Sequence, residues 1–127
     1  MGMDLIGIAP RSEAGRYLAF TNSQWAALVE LMHLVAPREV MARIEWMYNS
    51  GDGLEDAGAG GVAAALAAAI EDGRVEDYIR QLPLEPVATF PPVFDGTFRH
   101  GSARAITLAE VHEVAAFLRD SGGFEIR

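Results

Sequence analysis

The sequence predicts an α+β fold in which helices dominate. Two observations carry this prediction: four or five segments repeat their apolar residues at helical spacing, and short β-type runs stand near the two ends of the chain. We expect four to five helices and a small sheet built from the terminal strands. A chain of 127 residues, half of them apolar, fits a single domain, residues 1–127, with its own core.

The N-terminal part of the chain predicts two strands followed by a helix. The run MDLIGIA is stopped by Pro10, and the second candidate strand covers Arg16 to Phe20. The segment TNSQ then predicts a capping box, in which Thr21 and Gln24 exchange hydrogen bonds at the start of a helix. A second helix, PREVMARIEWMY, follows.

Both of these helices are apolar on two sides. Leu31 and Leu34 lie opposite the main apolar stripe of the first helix, and Trp46 lies opposite that of the second. A domain this small has limited core in which to bury such helices. We therefore expect Leu31, Leu34 and Trp46 to form an interface between two copies, and a homodimer is the default because two-fold assemblies are commonest. The alternative places Trp46 in the core.

The glycine-rich segment YNSGDGLEDAGAGG allows three interpretations. A phosphate-binding loop needs a lysine, and the chain has none. The ligand order of an EF-hand fits at no starting position. The third interpretation is a joint between helices, with Asn49 and Gly51 ending one helix at positive φ and Asp56 capping the next. We therefore expect no metal and no cofactor.

The second half of the chain predicts three more helices and a closing strand. GVAAALAAAI is the third helix, with Gly73 just beyond its end, and RVEDYIRQL is a short fourth helix. ITLAEVHEVAAFLRDSGG is the clearest helix, because Thr107 and Glu110 form a second capping box and Gly122 or Gly123 ends it. FEIR is expected to return as a strand.

The proline-rich stretch 84–105 is expected to be a long irregular loop that carries a candidate ligand site. Four residues of RHGSAR, namely Arg99, His100, Ser102 and Arg104, together with His112 on the last helix, are candidates for binding an anion or a small ligand. The alternative is that the arginines only balance nearby acids. No catalytic residue is predicted, because the pattern assigns no nucleophile with a base and an orienting group.

Composition and charge exclude several classes of function. The net charge is −8, which disfavours direct binding to nucleic acid and allows binding to a basic protein. The absence of cysteine removes disulfides and thiolate zinc sites. The N-terminus does not read as a signal peptide, and the longest apolar run is far short of the ~20 residues of a membrane span. We expect a cytoplasmic protein with no membrane contact.

Several segments resemble a group of small uncharacterised bacterial and phage proteins. They are the opening MGMDLIGIAPRSEAGRYLAF, the segment NSQWAALVELMHLVAP, the glycine-rich joint and the ending VHEVAAFLRDSGGFEI. The resemblance spans nearly the whole chain, and the group has no assigned activity. Some similar sequences carry a Cys-x-x-Cys insertion before the last helix. This chain has LEPVATFPPVFDGTF there and no cysteine, so the resemblance implies no zinc site here.

The leading interpretation is a small acidic, non-enzymatic protein-interaction module that self-associates. One alternative, implied by the phage resemblance and the charge, is an inhibitor that blocks a nucleic-acid-handling complex by acidic mimicry. The other is a small ligand-binding domain or enzyme that uses the 99–104 loop with His112. A compact pocket that joins this loop to the last helix would favour the latter.

Overall fold

The computed structural model describes residues 2–88 and 100–127, and this part of the chain forms an α+β fold dominated by helices, as predicted. The described residues form five strands, five helices and one 3-10 turn at Glu13–Gly15. They are β1 (Gly2–Gly7), β2 (Tyr17–Thr21), α1 (Asn22–Val35), α2 (Arg38–Met41), α3 (Asp56–Glu71), α4 (Arg74–Gln81), β3 (Glu85–Ala88), β4 (His100–Ala103), α5 (Leu108–Asp120) and β5 (Phe124–Ile126).

The main sheet is built from the two ends of the chain, which confirms the prediction of terminal strands. Its order is β2-β1-β5, and both neighbouring pairs are antiparallel. Side chains alternate across β1, so that Met3 and Leu5 are buried whereas Asp4 and Ile6 are exposed. The inner face of this sheet packs against the helices.

A row of aromatic rings runs through the core. Phe20, Trp25, Trp46, Phe124 and Phe117 follow one another with ring centroids 5.8 to 6.2 Å apart. The Trp25 indole N–H donates to the carbonyl oxygen of Trp46 at 2.5 Å, and the Trp46 indole N–H donates to that of Met41 at 2.8 Å. Both polar atoms of the tryptophan pair are therefore satisfied inside the core.

The expectation that Trp46 and Leu31 belong to an exposed interface is wrong. Trp46 is 4% exposed and Leu31 is 1% exposed, whereas Leu34 is 67% exposed. Helix α1 is covered by the sheet strands on one side and by α3 on another. The hydroxyl of Tyr78 in α4 donates to the carbonyl oxygen of Ala27 in α1 at 2.8 Å. The apolar residues of α1 around Leu31 thus report a central helix, whereas the interface role of Leu34 stays a prediction.

The second helix is shorter than its apolar pattern predicts. Helix α2 ends at Met41, and the amide of Glu45 donates to the Asp52 carboxylate at 3.0 Å instead of continuing a helical ladder. The Met41 and Trp46 carbonyl oxygens accept from the two indoles. At Glu45, Met41 and Trp46, tertiary hydrogen bonds therefore stand where a longer helix would have helical ones.

The glycine-rich joint forms an extra edge for the sheet. Gly51 donates to the Ile126 carbonyl oxygen at 2.7 Å, Ile126 donates to that of Asp52 at 2.7 Å, and Phe124 donates to that of Leu54 at 2.9 Å. Residues 51–55 therefore cover the outer side of β5. The interpretation as a structural joint accounts for this segment, although pairing along a sheet edge was not part of it.

Two details of that joint differ from the sequence prediction. The residue before α3 is Glu55, which makes no capping hydrogen bond with its side chain, and Asp56 is the first helical residue. Gly51 has the expected positive φ of 87°, whereas Asn49 does not, because no residue other than glycine has positive φ in the described chain. Asp56 is held instead by an ion pair with Arg11.

The predicted capping boxes and glycine stops are confirmed, although α3 begins at Asp56 and not at the predicted GVAAALAAAI segment. The amides of Gln24 and Glu110 donate to the hydroxyls of Thr21 and Thr107, each at 3.2 Å, and the reciprocal bonds are also present. The glycines that end α3 and α5 have positive φ, as the predicted stop signals require: Gly73, Gly122 and Gly123.

The stretch 84–105 contains more regular structure than expected. Strands β3 and β4 pair antiparallel, with Glu85 opposite Ala103 and Ala88 opposite His100. Pro86 lies within β3 and does not prevent pairing, because a two-stranded ribbon consists only of edge strands. The prediction of a wholly irregular loop is therefore wrong for the described part.

Candidate functional site: a groove between α3 and α5

An open groove of about 650 Å³ runs between α3 and α5. Its walls come from one face of each helix, at spacings of three and four residues. The lining residues are Gly60, Ala63, Ala64, Ala67, Ile70 and Glu71 of α3, and His112, Ala115, Ala116 and Arg119 of α5. The groove exists because glycine and alanine leave no side-chain bulk on the outward faces of two packed helices.

The two ends of the groove carry different charges. Arg11 forms an ion pair with Asp56 at the start of α3 and donates to the Arg119 carbonyl oxygen at the end of α5, so the two helices run antiparallel. Arg119 therefore lies at the Gly60 end of the groove. Glu71 and His112 lie at the other end.

A polar clamp fixes the end that holds Arg119. Ser12 donates to the Asp120 carboxylate at 2.8 Å, and the Arg119 guanidinium contacts the same carboxylate at 3.0 Å. The hydrogen bonds from Arg119 and then from Ser12 lower the pKa of Asp120 from 3.8 to about 2. Asp120 consequently stays ionised and neutralises Arg119 within the chain.

Glycines allow this clamp to close. A Cβ at Gly15 would lie 2.1 Å from the Asp120 carbonyl oxygen, and one at Gly122 would lie 2.3 Å from that of Ala9. The segment APRSEAG thus lies directly on the C-terminal end of α5. Arg11 satisfies a carbonyl group there that has no partner within the helix.

At the opposite end, Glu71 is exposed and forms no ion pair with any residue in the described ranges. His112 is likewise exposed, on the α5 side of the groove. This end therefore presents one carboxylate, without an ion pair in the described part of the chain, and one imidazole beside an apolar floor.

The structure does not bring the predicted ligand residues into one site. His112 lines the groove, but Arg104 does not; its guanidinium donates to the Arg80 carbonyl oxygen at 3.2 Å, at the end of α4. His100 and Ser102 occupy alternate positions of β4, opposite Ala88 and Pro86. Arg99 lies outside the described residues.

Two further observations concern the part of the chain that the structure describes. It contains no group of three or more histidine, aspartate or glutamate side chains arranged to hold a metal ion. Among its helices, none is both long enough and apolar enough to cross a bilayer.

Sequence reasoning did not identify the groove, although a signal for it was present. Alanine and glycine recur at helical spacing on the side of α3 that faces away from Val62 and Leu66, and Ala115 and Ala116 do the same on α5. Small residues on the outward side of two neighbouring helices predict a groove only when the helices are known to pack together. The packing of α3 against α5 is a tertiary contact, which the sequence of either helix alone does not predict.

Comparisons of this chain with protein-family models, with curated proteins and with solved structures give no match. The resemblance to small bacterial and phage proteins remains a prediction from the sequence.

Proposed function

We propose that this chain is a non-enzymatic protein-interaction module that binds an α-helix of a basic partner protein in the groove between α3 and α5. The observation that carries the proposal is the groove itself. From Gly60 to Glu71 it extends about 16 Å at about 1.5 Å per residue, which equals roughly three turns of a bound helix. A partner helix would lay an apolar stripe into it.

The floor of the groove suits a helix better than a more irregular ligand. Alanine and glycine let a backbone approach closely, and they lose no side-chain entropy when they are covered. Ala64 and Ala67 are exposed in the free chain, so their apolar surface leaves water only when something binds.

Charge selects the kind of partner. Arg119 is already neutralised by Asp120, whereas Glu71 has no counter-charge in the described chain. A lysine or arginine at one end of the partner helix would complement Glu71, and the net charge of −8 favours encounter with a basic protein. The narrower hypothesis, inhibition of a nucleic-acid-handling complex, rests on this charge and on the sequence resemblance.

One observation supports a second candidate, a small ligand held by His112. The groove volume of about 650 Å³ is in the range of small-molecule sites. The groove is, however, open along its length and does not include Arg104, the other predicted ligand residue whose side chain is described. The helix-binding proposal therefore takes precedence.

The test compares two lysine substitutions on the same helix. Ala67→Lys places a long cationic side chain in the groove, whereas Ala68→Lys places it on an exposed position outside the groove. Alanine and lysine are both good helix formers, so we expect α3 to be retained in each variant. Tagged wild-type protein and both variants would be used to capture partners from the protein's own host, with quantitative mass spectrometry.

We expect a basic, helical partner whose capture falls at least about tenfold with Ala67→Lys, equivalent to about 1.4 kcal/mol, and is unchanged with Ala68→Lys. Capture of no protein, or of proteins that are insensitive to Ala67→Lys, would contradict the proposal. Binding of a small metabolite that is lost on His112→Ala, with no protein partner, would favour the second candidate instead.

A further inference from the structure

The two edges of the main sheet differ in whether another segment of the described chain pairs with them. The outer edge of β5 is covered by residues 51–55, through the three backbone hydrogen bonds described above. The other edge is β2, and no residue in the described ranges pairs with its outer side. An uncovered edge strand is a template on which another strand can pair.

The register of β1 and β2 shows which backbone groups point outward. Gly7 donates to the Arg16 carbonyl oxygen at 2.9 Å, so odd-numbered residues of β1 bond to even-numbered residues of β2. Leu18 and Phe20 therefore face β1. Tyr17 and Ala19 direct their N–H and C=O groups away from the sheet.

Within residues 2–88 and 100–127, other contacts confine the unpaired backbone groups of this edge to these two residues. The amide of Thr21 already donates to the Gln24 side chain at 2.9 Å in the capping box. On the N-terminal side, Arg16 ends the 3-10 turn, and its amide donates to the Glu13 carbonyl oxygen at 3.2 Å. The open edge thus offers two donors and two acceptors, at Tyr17 and Ala19.

We infer that β2 is a self-association edge, on which two copies of the chain pair antiparallel about a two-fold axis at Leu18. Tyr17 of one copy then lies opposite Ala19 of the second copy, and all four donors and all four acceptors are used. A register that placed Ala19 opposite Ala19 would need the Thr21 amide, which is occupied. The arrangement is isologous, as a closed dimer requires.

The side chains of β2 allow this register. Ala19 is small and exposed, and the Tyr17 ring lies over its own sheet because its hydroxyl donates to the Asp4 carboxylate, so neither side chain blocks the approach of a second strand. The two Leu18 side chains would meet as a non-hydrogen-bonded pair, in which side chains approach most closely. A single strand pair buries a small area, so we expect dissociation in the micromolar range.

This inference goes beyond the proposed function and moves the predicted homodimer away from Leu31, Leu34 and Trp46. None of the groove residues belongs to β2. The dimer and the helix-binding groove are therefore separate surfaces, and either one can fail without the other.

The test uses Ala19→Pro, with Ala19→Ser as its matched control. Proline removes the outward N–H and leaves the bonds to β1 in place, because the Ala19 amide does not face β1. Serine keeps the N–H. The mass of each protein would be measured by light scattering and sedimentation from low-micromolar to hundreds of micromolar concentration.

We expect the wild type and Ala19→Ser to shift from one chain to two as concentration rises, while folded Ala19→Pro remains one chain. A wild type of one-chain mass throughout, or a dimer unaffected by Ala19→Pro, would overturn the inference. If Ala19→Pro does not fold, hydrogen exchange of the wild type decides. The amides of Tyr17 and Ala19 must then become protected as concentration increases, and unchanged exchange counts against the dimer edge.

Discussion

The backbone of Gly53 passes so close to Phe124 that a Cβ at position 53 would lie 1.7 Å from the Phe124 carbonyl oxygen. This approach allows residues 51–55 to pair with β5, and Phe124 itself lies in the aromatic row of the core. The glycine-rich joint therefore connects the chain's C-terminal strand to the start of α3. Within it, Gly53 serves close packing and Asp52 serves hydrogen bonding.

Gly53→Ala should destabilise the fold by roughly 1–3 kcal/mol or more, because a methyl group in this position forces the strand pairing apart. Chemical denaturation followed by tryptophan fluorescence would measure the change. Gly61→Ala is the control: nothing lies within 4 Å of a Cβ there, and alanine in a helix is preferred to glycine by about 1 kcal/mol. Equal effects of the two substitutions would refute the close-approach argument.

Trp46→Ala should cost about 3–5 kcal/mol of stability, as is usual when a large buried aromatic side chain is removed. The free energy of unfolding is the relevant measurement, and Met47→Ala, at a neighbouring exposed position, provides the comparison. If Trp46→Ala left the free energy of unfolding unchanged and weakened a dimer, Trp46 would belong to an interface between two copies and not to the core.

Thr107→Ala should lower stability by roughly 0.5–2 kcal/mol, because the amide of Glu110 loses the hydroxyl that accepts from it. Thr107→Ser retains an acceptor and should lie close to the wild type. Denaturation midpoints for the three proteins measure the effect. A midpoint that is the same for all three would show that the capping box contributes nothing.

Asp120 should make the fold sensitive to acid in a defined window. Its folded pKa of about 2 lies below the ordinary 3.8, so its contribution is fully present above the ordinary pKa and is lost as pH falls from there toward 2. Asp120→Asn removes this titration. The free energy of unfolding, measured from pH 5 downward, should fall less steeply for the variant than for the wild type. Parallel pH dependences of the two proteins would contradict the role of Asp120 in the clamp.

Much of the fold was predictable because its signals are local. The capping boxes at Thr21 and Thr107 and the stops at Gly73 and Gly122 depend on residues three or four positions apart. Such bonds form whenever a helix forms. The terminal strands followed in the same way from alternating apolar residues.

The incorrect predictions concern segments where tertiary contacts outweigh the local helical preference of the sequence. Residues 42–47 have a helical apolar pattern, but the Trp46 indole donates to the Met41 carbonyl oxygen, and the Glu45 amide, which would bond to that oxygen in a longer α2, donates to Asp52 instead. Leu31 has the same pattern in the core as it would have in an interface, so periodicity does not distinguish the two. The groove was missed because the packing of α3 on α5 is not encoded in either helix alone.

The most direct measurement of the central claim is site-specific photo-cross-linking of the partner complex. A benzophenone amino acid at His112, on the rim of the groove, should cross-link to a helix of the partner, whereas the same group at exposed Glu30 of α1 should not. Mass spectrometry would identify the joined peptides. Cross-links from position 30 with none from position 112 would place the partner elsewhere and contradict the groove as the binding surface.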